Sequence, residues 1–288
     1  MPEPRELSPR FQVSDNKQAE LLATLPPAWH QRHRDFYAQT ASSWNHSHLL
    51  EIAAVTLQQD GAKALERLRE QLEKLGPGYH ATLTGCWLAL IQLAFQKQLN
   101  AEETARRLSF SQLPLAFYSP GRLQSAEAAE RHLAPDLGPV ALPLELPPEW
   151  AETLVAFQSR RLAKEKWDLS CHLRVAAGIF LLLGEPGAYV MSVGIQRLNQ
   201  AHGVPLTPTG GYHETLTRLW FYLVARAVDR FGLVRQPDSP ELLQRMLECL
   251  EDRNLPLHFY TRERLMSWEA RIGWLEPDLQ SLERVDFV

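Results

Sequence analysis

Cysteine is scarce in this chain of 288 residues: Cys86, Cys171 and Cys249 stand alone, and none belongs to a C-x-x-C pair. An odd, scattered set argues against a disulfide scaffold or a cysteine-based zinc site. An excess of positive charge is also missing. Thirty Lys and Arg face 34 Asp and Glu, a formal net charge of −4, which leaves no overall basic footprint for nucleic acid. Long hydrophobic runs are lacking too, since the longest, Val175–Leu183, is about half the length of a membrane span. The opening residues Met1-Pro2-Glu3-Pro4-Arg5-Glu6 are polar and do not read as a signal peptide, so a cytoplasmic location is expected. No segment alternates apolar and polar residues between hairpin turns. P-loop, Rossmann glycine, H-E-x-x-H, G-x-S-x-G and EF-hand patterns do not occur.

What is present is a repetition. Gly78-Tyr79-His80-Ala81-Thr82-Leu83-Thr84 returns as Gly211-Tyr212-His213-Glu214-Thr215-Leu216-Thr217, and the match runs on through Trp87/Trp220, Leu90/Leu223 and Ala94/Ala227. Earlier in the chain, Leu25-Pro26-Pro27-Ala28-Trp29 corresponds to Leu146-Pro147-Pro148-Glu149-Trp150. Trp44, Ser47, Leu50, Ala53 and Ala54 correspond to Trp167, Ser170, Leu173, Ala176 and Ala177. Later, Leu113-Pro114-Leu115-Ala116-Phe117-Tyr118 returns as Leu255-Pro256-Leu257-His258-Phe259-Tyr260, followed by Arg122/Arg264, Ser125/Ser267 and Asp136/Asp278. The chain therefore reads as a tandem duplication: a tail over 1–20, one copy over 21–145 and a second over 146–288.

Hydrophobic content of 45% and charged content of 22% suit a globular core. Leu169, Leu173, Ala176 and Phe180 fall at i, i+4, i+7 and i+11, the stripe of a core-facing helix. Leu65, Leu68, Leu72 and Leu75 make a similar face. Third helices begin in the two Gly-Tyr-His stretches. Asn100 with Glu103, and Ser239 before Pro240, are helix starts, and Ser125 and Ser267 cap short last helices. The fold class is all-α: two copies of a four-to-five-helix unit, expected to pack as a pseudo-twofold pair in a monomer or weak homodimer. Only the second copy has the loop Gly203–Gly210.

His172-Leu173-Arg174-Val175-Ala176, the 211–217 stretch and Ala270-Arg271-Ile272-Gly273-Trp274-Leu275-Glu276-Pro277-Asp278-Leu279 together carry a resemblance. The second copy resembles an uncharacterised bacterial family of all-helical proteins with an HLRxA … GYHETxT … ARxGWxxPDL pattern. The resemblance implies a fold unit and no reaction.

Three constellations can carry chemistry. His172, His213 and Glu214 offer two imidazoles and a carboxylate, a set that can hold a divalent metal or act in acid–base catalysis. Against that, Glu214 suits a helix's first turn, completes a capping box from Gly211 and pairs with Arg218 at i+4. Tyr212, His213, Thr217 and Trp220 form the second set, either lining a polar pocket or housing a buried histidine satisfied by Thr217. Tyr260, Arg264, Ser267, Arg271 and Asp278 form the third. Its arginines can hold an anion, or Arg–Asp pairs can tether the closing segment. His172, Glu214, His258, Arg271 and Trp274 replace Leu49, Ala81, Ala116, Ala129 and His132 of the first copy. That asymmetry points to the second copy as the functional half, with a small-molecule pocket, metal-assisted in its strongest form. The rival readings are a helical scaffold or interaction protein and a metabolite-binding regulatory module. Neither nucleic acid nor membrane is an expected partner, and residue types alone do not separate enzyme from binder.

Overall fold

A computed structural model describes residues 27–37, 46–60, 64–74, 79–97, 99, 101–143 and 145–284. The expected tail, Leu25, Pro26, Trp44, Leu75, Gly78 and Asn100 lie outside them. Among the described residues the structure is all-helical, with fourteen α-helices and no strand. None of these helices is long and apolar enough to cross a membrane.

The chain divides into two compact units. The first takes residues 1–106 and 129–132, the second 107–128 and 133–288. The units are not the two sequence copies, because most of the first copy's closing segment belongs to the second unit. In the first unit, α1 (Pro27–Tyr37), α3 (Ala64–Lys74) and α4 (Ala81–Gln96) pack on α2 (His46–Asp60). Ile52, Ala53, Ala54 and Val55 of α2 are buried, as are Leu65 and Leu68 of α3. The next helix, α5 (Ala101–Arg107), ends where the second unit begins.

The second unit opens with the 3₁₀ turn Leu113–Ala116, the short helix α6 (Pro120–Leu123) and the first three residues of α7 (Ala126–Glu130). Its body is α8 (Pro148–Gln158), α9 (Leu169–Leu183), α10 (Gly187–Ala201), α11 (Glu214–Arg230) and α12 (Pro240–Cys249). A second 3₁₀ turn (Leu255–His258), α13 (Arg262–Leu265) and α14 (Trp268–Ile272) close it. The centre is α9, with α8, α10, α11, α12 and the turn Leu113–Ala116 packed around it. Its burial is wider than one stripe: Leu173 and Val175 through Ile179 are all buried, while Leu169 and Phe180 are half-buried. An enclosed helix of this kind is apolar nearly all round.

Local signals in the sequence explain the boundaries. Ser239 accepts a hydrogen bond from Leu242 N ahead of Pro240 at the first helical position. Ser125 Oγ accepts from Ala128 N, and Ser267 Oγ from Ala270 N. Asp168 starts α9 by accepting from Cys171 N at 2.8 Å.

Candidate functional site

The Gly-Tyr-His stretches turn out to be caps. His213 sits before α11 in extended backbone (φ −145°, ψ 104°), and its Nδ1 accepts from Leu216 N at 3.2 Å. His80 sits before α4 with φ −141° and ψ 103°, and its Nδ1 accepts from Leu83 N at 3.3 Å. The imidazole thus does the work more often done by Ser, Thr, Asp or Asn. The other nitrogen of His213, Nε2, donates to Leu265 O at 2.9 Å. His213 is 7% exposed, and burial pushes its pKa below the ordinary imidazole value against the pull of the Leu265 carbonyl. Neither ring nitrogen is left for a metal or a proton transfer. The satisfying partners are backbone groups, not Thr217.

Glu214 is the first residue of α11, so the expected capping box from Gly211 does not form. Its carboxylate accepts instead from Tyr212 Oη at 2.5 Å, and burial, followed by this bond, raises the Tyr212 pKa to about 12. The expected i, i+4 partner, Arg218, lies over the Trp274 ring, 4.8 Å from its centroid. His172 stands at the start of α9, where Nδ1–H donates to Asp168 O at 2.8 Å and leaves Nε2 as the acceptor. Its ring lies against Trp167 with centroids 3.6 Å apart, and Trp167 stacks on Phe157 at 5.3 Å. Burial lowers the His172 pKa, against the Asp168 carbonyl.

Metal ligation by His172, His213 and Glu214 finds no support in this geometry. Among the described residues no three His, Cys, Asp or Glu side chains group to hold an ion. The reason is geometric: adjacent helical residues diverge, and each of the three is bound to a different backbone or tyrosine partner.

His172 and His213 do share something else. Both line a cavity of about 630 Å³ in the second unit, and Glu214 does not. The helices α9, α10 and α11 form its walls, with the loop around Val204 and Gly211 and the turn residues Lys164 and Arg253 completing it. The Leu169-Leu173-Ala176 side of α9 faces it, opposite Leu216, Thr217 and Trp220 of α11, with Met191 and Ile195 of α10 between. The i, i+4, i+7 face His213-Thr217-Trp220 is thus a cavity wall. Volume and largely apolar lining match an ordinary small-molecule site. Nothing in the repeated motifs marks the α10 wall or the turns carrying Lys164 and Arg253, because no copy-to-copy match falls there. Trp167 is legible only as the counterpart of Trp44.

The third constellation is a set of tethers. Tyr260 is fully buried and donates to Leu275 O at 2.8 Å. Thr261 N and Oγ1 donate to the two Asp278 oxygens, and Arg264 Nε donates to Glu276 O. Ser267 is the α14 cap already described. The first copy repeats each bond: Tyr118 Oη to Leu133 O, Ser119 N and Oγ to Asp136, and Arg122 Nε to Ala134 O. Thr82 Oγ1 to Arg131 O likewise matches Thr215 Oγ1 to Gly273 O.

Arg271, unmatched in the first copy, holds the loop that the first copy lacks. Only 7% exposed, it donates to Pro208 O at 3.2 Å and to Tyr212 O at 3.1 Å. It also borders a second cavity of about 520 Å³ with Gln196, Tyr212 and Glu214. Compared with protein-family models, curated proteins and solved structures, the chain shows no match, so geometry alone carries the functional reading.

Proposed function

We propose that the second unit is a small-molecule-binding module whose site is the cavity between α9, α10 and α11. The observation that carries this reading is the cavity itself: about 630 Å³, lined by Trp167 and Trp220 together with Leu173, Ala176, Met191 and Ile195. Pockets of this size, mainly apolar with a few polar groups, are the usual place for a ligand with a flat or branched hydrocarbon body. The Thr217 hydroxyl, the Asn199 side-chain amide and the Trp220 indole N–H line the cavity with no side-chain hydrogen bond to a described residue, and these are the groups that would fix a ligand's orientation. His172 contributes a flat ring and an acceptor nitrogen. Binding, not metal-assisted chemistry, fits these groups.

The test is thermal unfolding in the presence of a panel of small aromatic and branched aliphatic compounds. A binder at 100 times its Kd adds about 2.7 kcal/mol to the native state. Thr217→Phe, which places a ring inside the cavity, should keep the fold and lose the stabilisation. A panel that stabilises wild type and Thr217→Phe alike would refute the site.

The same reading includes the origin of the chain. We propose a tandem duplication, with the pseudo-twofold pairing of its copies as part of that proposal, in which the second copy gained Arg271 and the Gly203–Gly210 loop as a wall of the site. Supporting it are the matched caps at His80 and His213 and the matched tethers at Tyr118 and Tyr260.

A further inference from the structure

Resting on the binding reading above, we infer that the cavity takes an organic anion: an aromatic or branched apolar body carrying one carboxylate, sulfonate or phosphate. The cavity's charged lining is asymmetric. Lys164 and Arg253 contribute two cations, and Asp168 is the one carboxylate. The Asp168 carboxylate is already engaged, its Oδ1 accepting from Cys171 N at the start of α9. Lys164 and Arg253 are both exposed, so they stand on the solvent side of a cavity whose interior is Leu173, Ala176, Met191, Ile195 and Phe221.

The two cations lie on different segments. Lys164 is in the 3₁₀ turn before Asp168, and Arg253 is in the turn after α12. Neither has an ion-pair partner among the described residues. Chain segments 89 positions apart thus bring unpaired positive charge to one opening above an apolar floor. A ligand that buries its ring against Trp167 and Trp220 while its anionic group stays near Lys164 and Arg253 satisfies both halves. A neutral ligand leaves the cations unused, and a cationic one is repelled.

Two fluorescent probes of similar body separate the charge from the cavity: 8-anilinonaphthalene-1-sulfonate, an anion, and N-phenyl-1-naphthylamine, which is neutral. Both are titrated into the full chain, into Lys164→Gln/Arg253→Gln and into Thr217→Phe, with circular dichroism to establish that each variant is folded. The expected result is that Lys164→Gln/Arg253→Gln weakens the sulfonate about five- to tenfold and leaves the neutral probe within about twofold. Raising the salt should weaken the sulfonate alone, and Thr217→Phe should weaken both probes. If the sulfonate is indifferent to the loss of both cations while Thr217→Phe still excludes it, the anion inference is overturned and the cavity reading stands. If neither probe binds, or folded Thr217→Phe binds both as wild type does, cavity and anion inference fall together.

Discussion

His213 shows how a residue that looks chemical can be architectural. One nitrogen caps α11 and the other holds the Leu265 carbonyl. Replacing it with alanine removes a cap and orphans a buried carbonyl, so His213→Ala should lose about 2–4 kcal/mol of stability in urea unfolding. His213→Asn keeps a capping oxygen and should lose about half of that. A catalytic or ligating histidine would instead show little change in stability with either substitution. The pH dependence has a definite sign. Burial holds the folded pKa values of His213 and His172 below the ordinary imidazole value of 6.5, so between the folded and unfolded values the unfolded chain binds more protons. Their contribution is complete above about pH 6.5 and is lost as pH falls below it. Denaturant unfolding at pH 7.5 and 5.5 should show wild type weakening on acidification, and His172→Gln/His213→Asn weakening less. The Asp278 carboxyl, held below its usual value by the Thr261 hydroxyl, acts with the same sign in a more acidic region. Its stabilising interaction is present above the unfolded aspartate value, near 4, and is lost only at lower pH.

At the scale of elements, the asymmetry between the copies is largely a loop and its fastener. Gly203 and Gly211 flank the insertion with φ of 64° and 83°, and a Cβ on Gly211 would lie 2.3 Å from the Pro205 carbonyl oxygen. Gly211→Ala therefore meets both backbone strain and a backbone clash and should destabilise by at least about 1–3 kcal/mol. Arg271→Ala removes a charged hydrogen bond to Pro208 O in this loop and another to Tyr212 O just after it, worth about 1.5–3 kcal/mol each where desolvated. It should open residues 203–210 to limited proteolysis, with cleavage appearing there before any in α9 or α11. Cleavage rates equal to wild type would show that the arginine does not hold the loop. Another exchange is matched in pairs: Gly85 faces His132 in the first unit, where Arg218 faces Trp274 in the second.

Much of this element structure was legible from local chemistry. Ser239-Pro240, Ser125 and Ser267 cap as their residue types dictate, and the third helices begin where the repeated stretch places them. The identity of the cap at Gly-Tyr-His was not legible, because imidazole capping is rare and the neighbouring Glu214 offered a commoner alternative. The metal set lacks support for a related reason: residue types do not reveal that each of the three side chains is bound to a different partner. The closing segment is tethered, but not by the Arg–Asp pairs its residue types suggested: Asp278 takes Thr261, and Arg264 takes the Glu276 carbonyl.

For the whole molecule, the repetition in the chain and its division into compact units follow different boundaries. Residues 107–128 belong by sequence to the first copy and by packing to the second unit, where Leu113–Ala116 covers α9. Sequence similarity marks which segments read alike, whereas compactness depends on which apolar faces meet. The cavity escaped sequence reading on the same ground, since three helices, a loop and two turns build it and the repetition marks neither the α10 wall nor the turns carrying Lys164 and Arg253. The most direct measurement of the central claim is isothermal titration calorimetry of the full chain with 8-anilinonaphthalene-1-sulfonate at several temperatures. A single saturable site with a negative heat-capacity change, lost in folded Thr217→Phe, is the predicted result, because apolar burial in one cavity gives that signature. Absence of saturable binding, or an unchanged isotherm in folded Thr217→Phe, would contradict it.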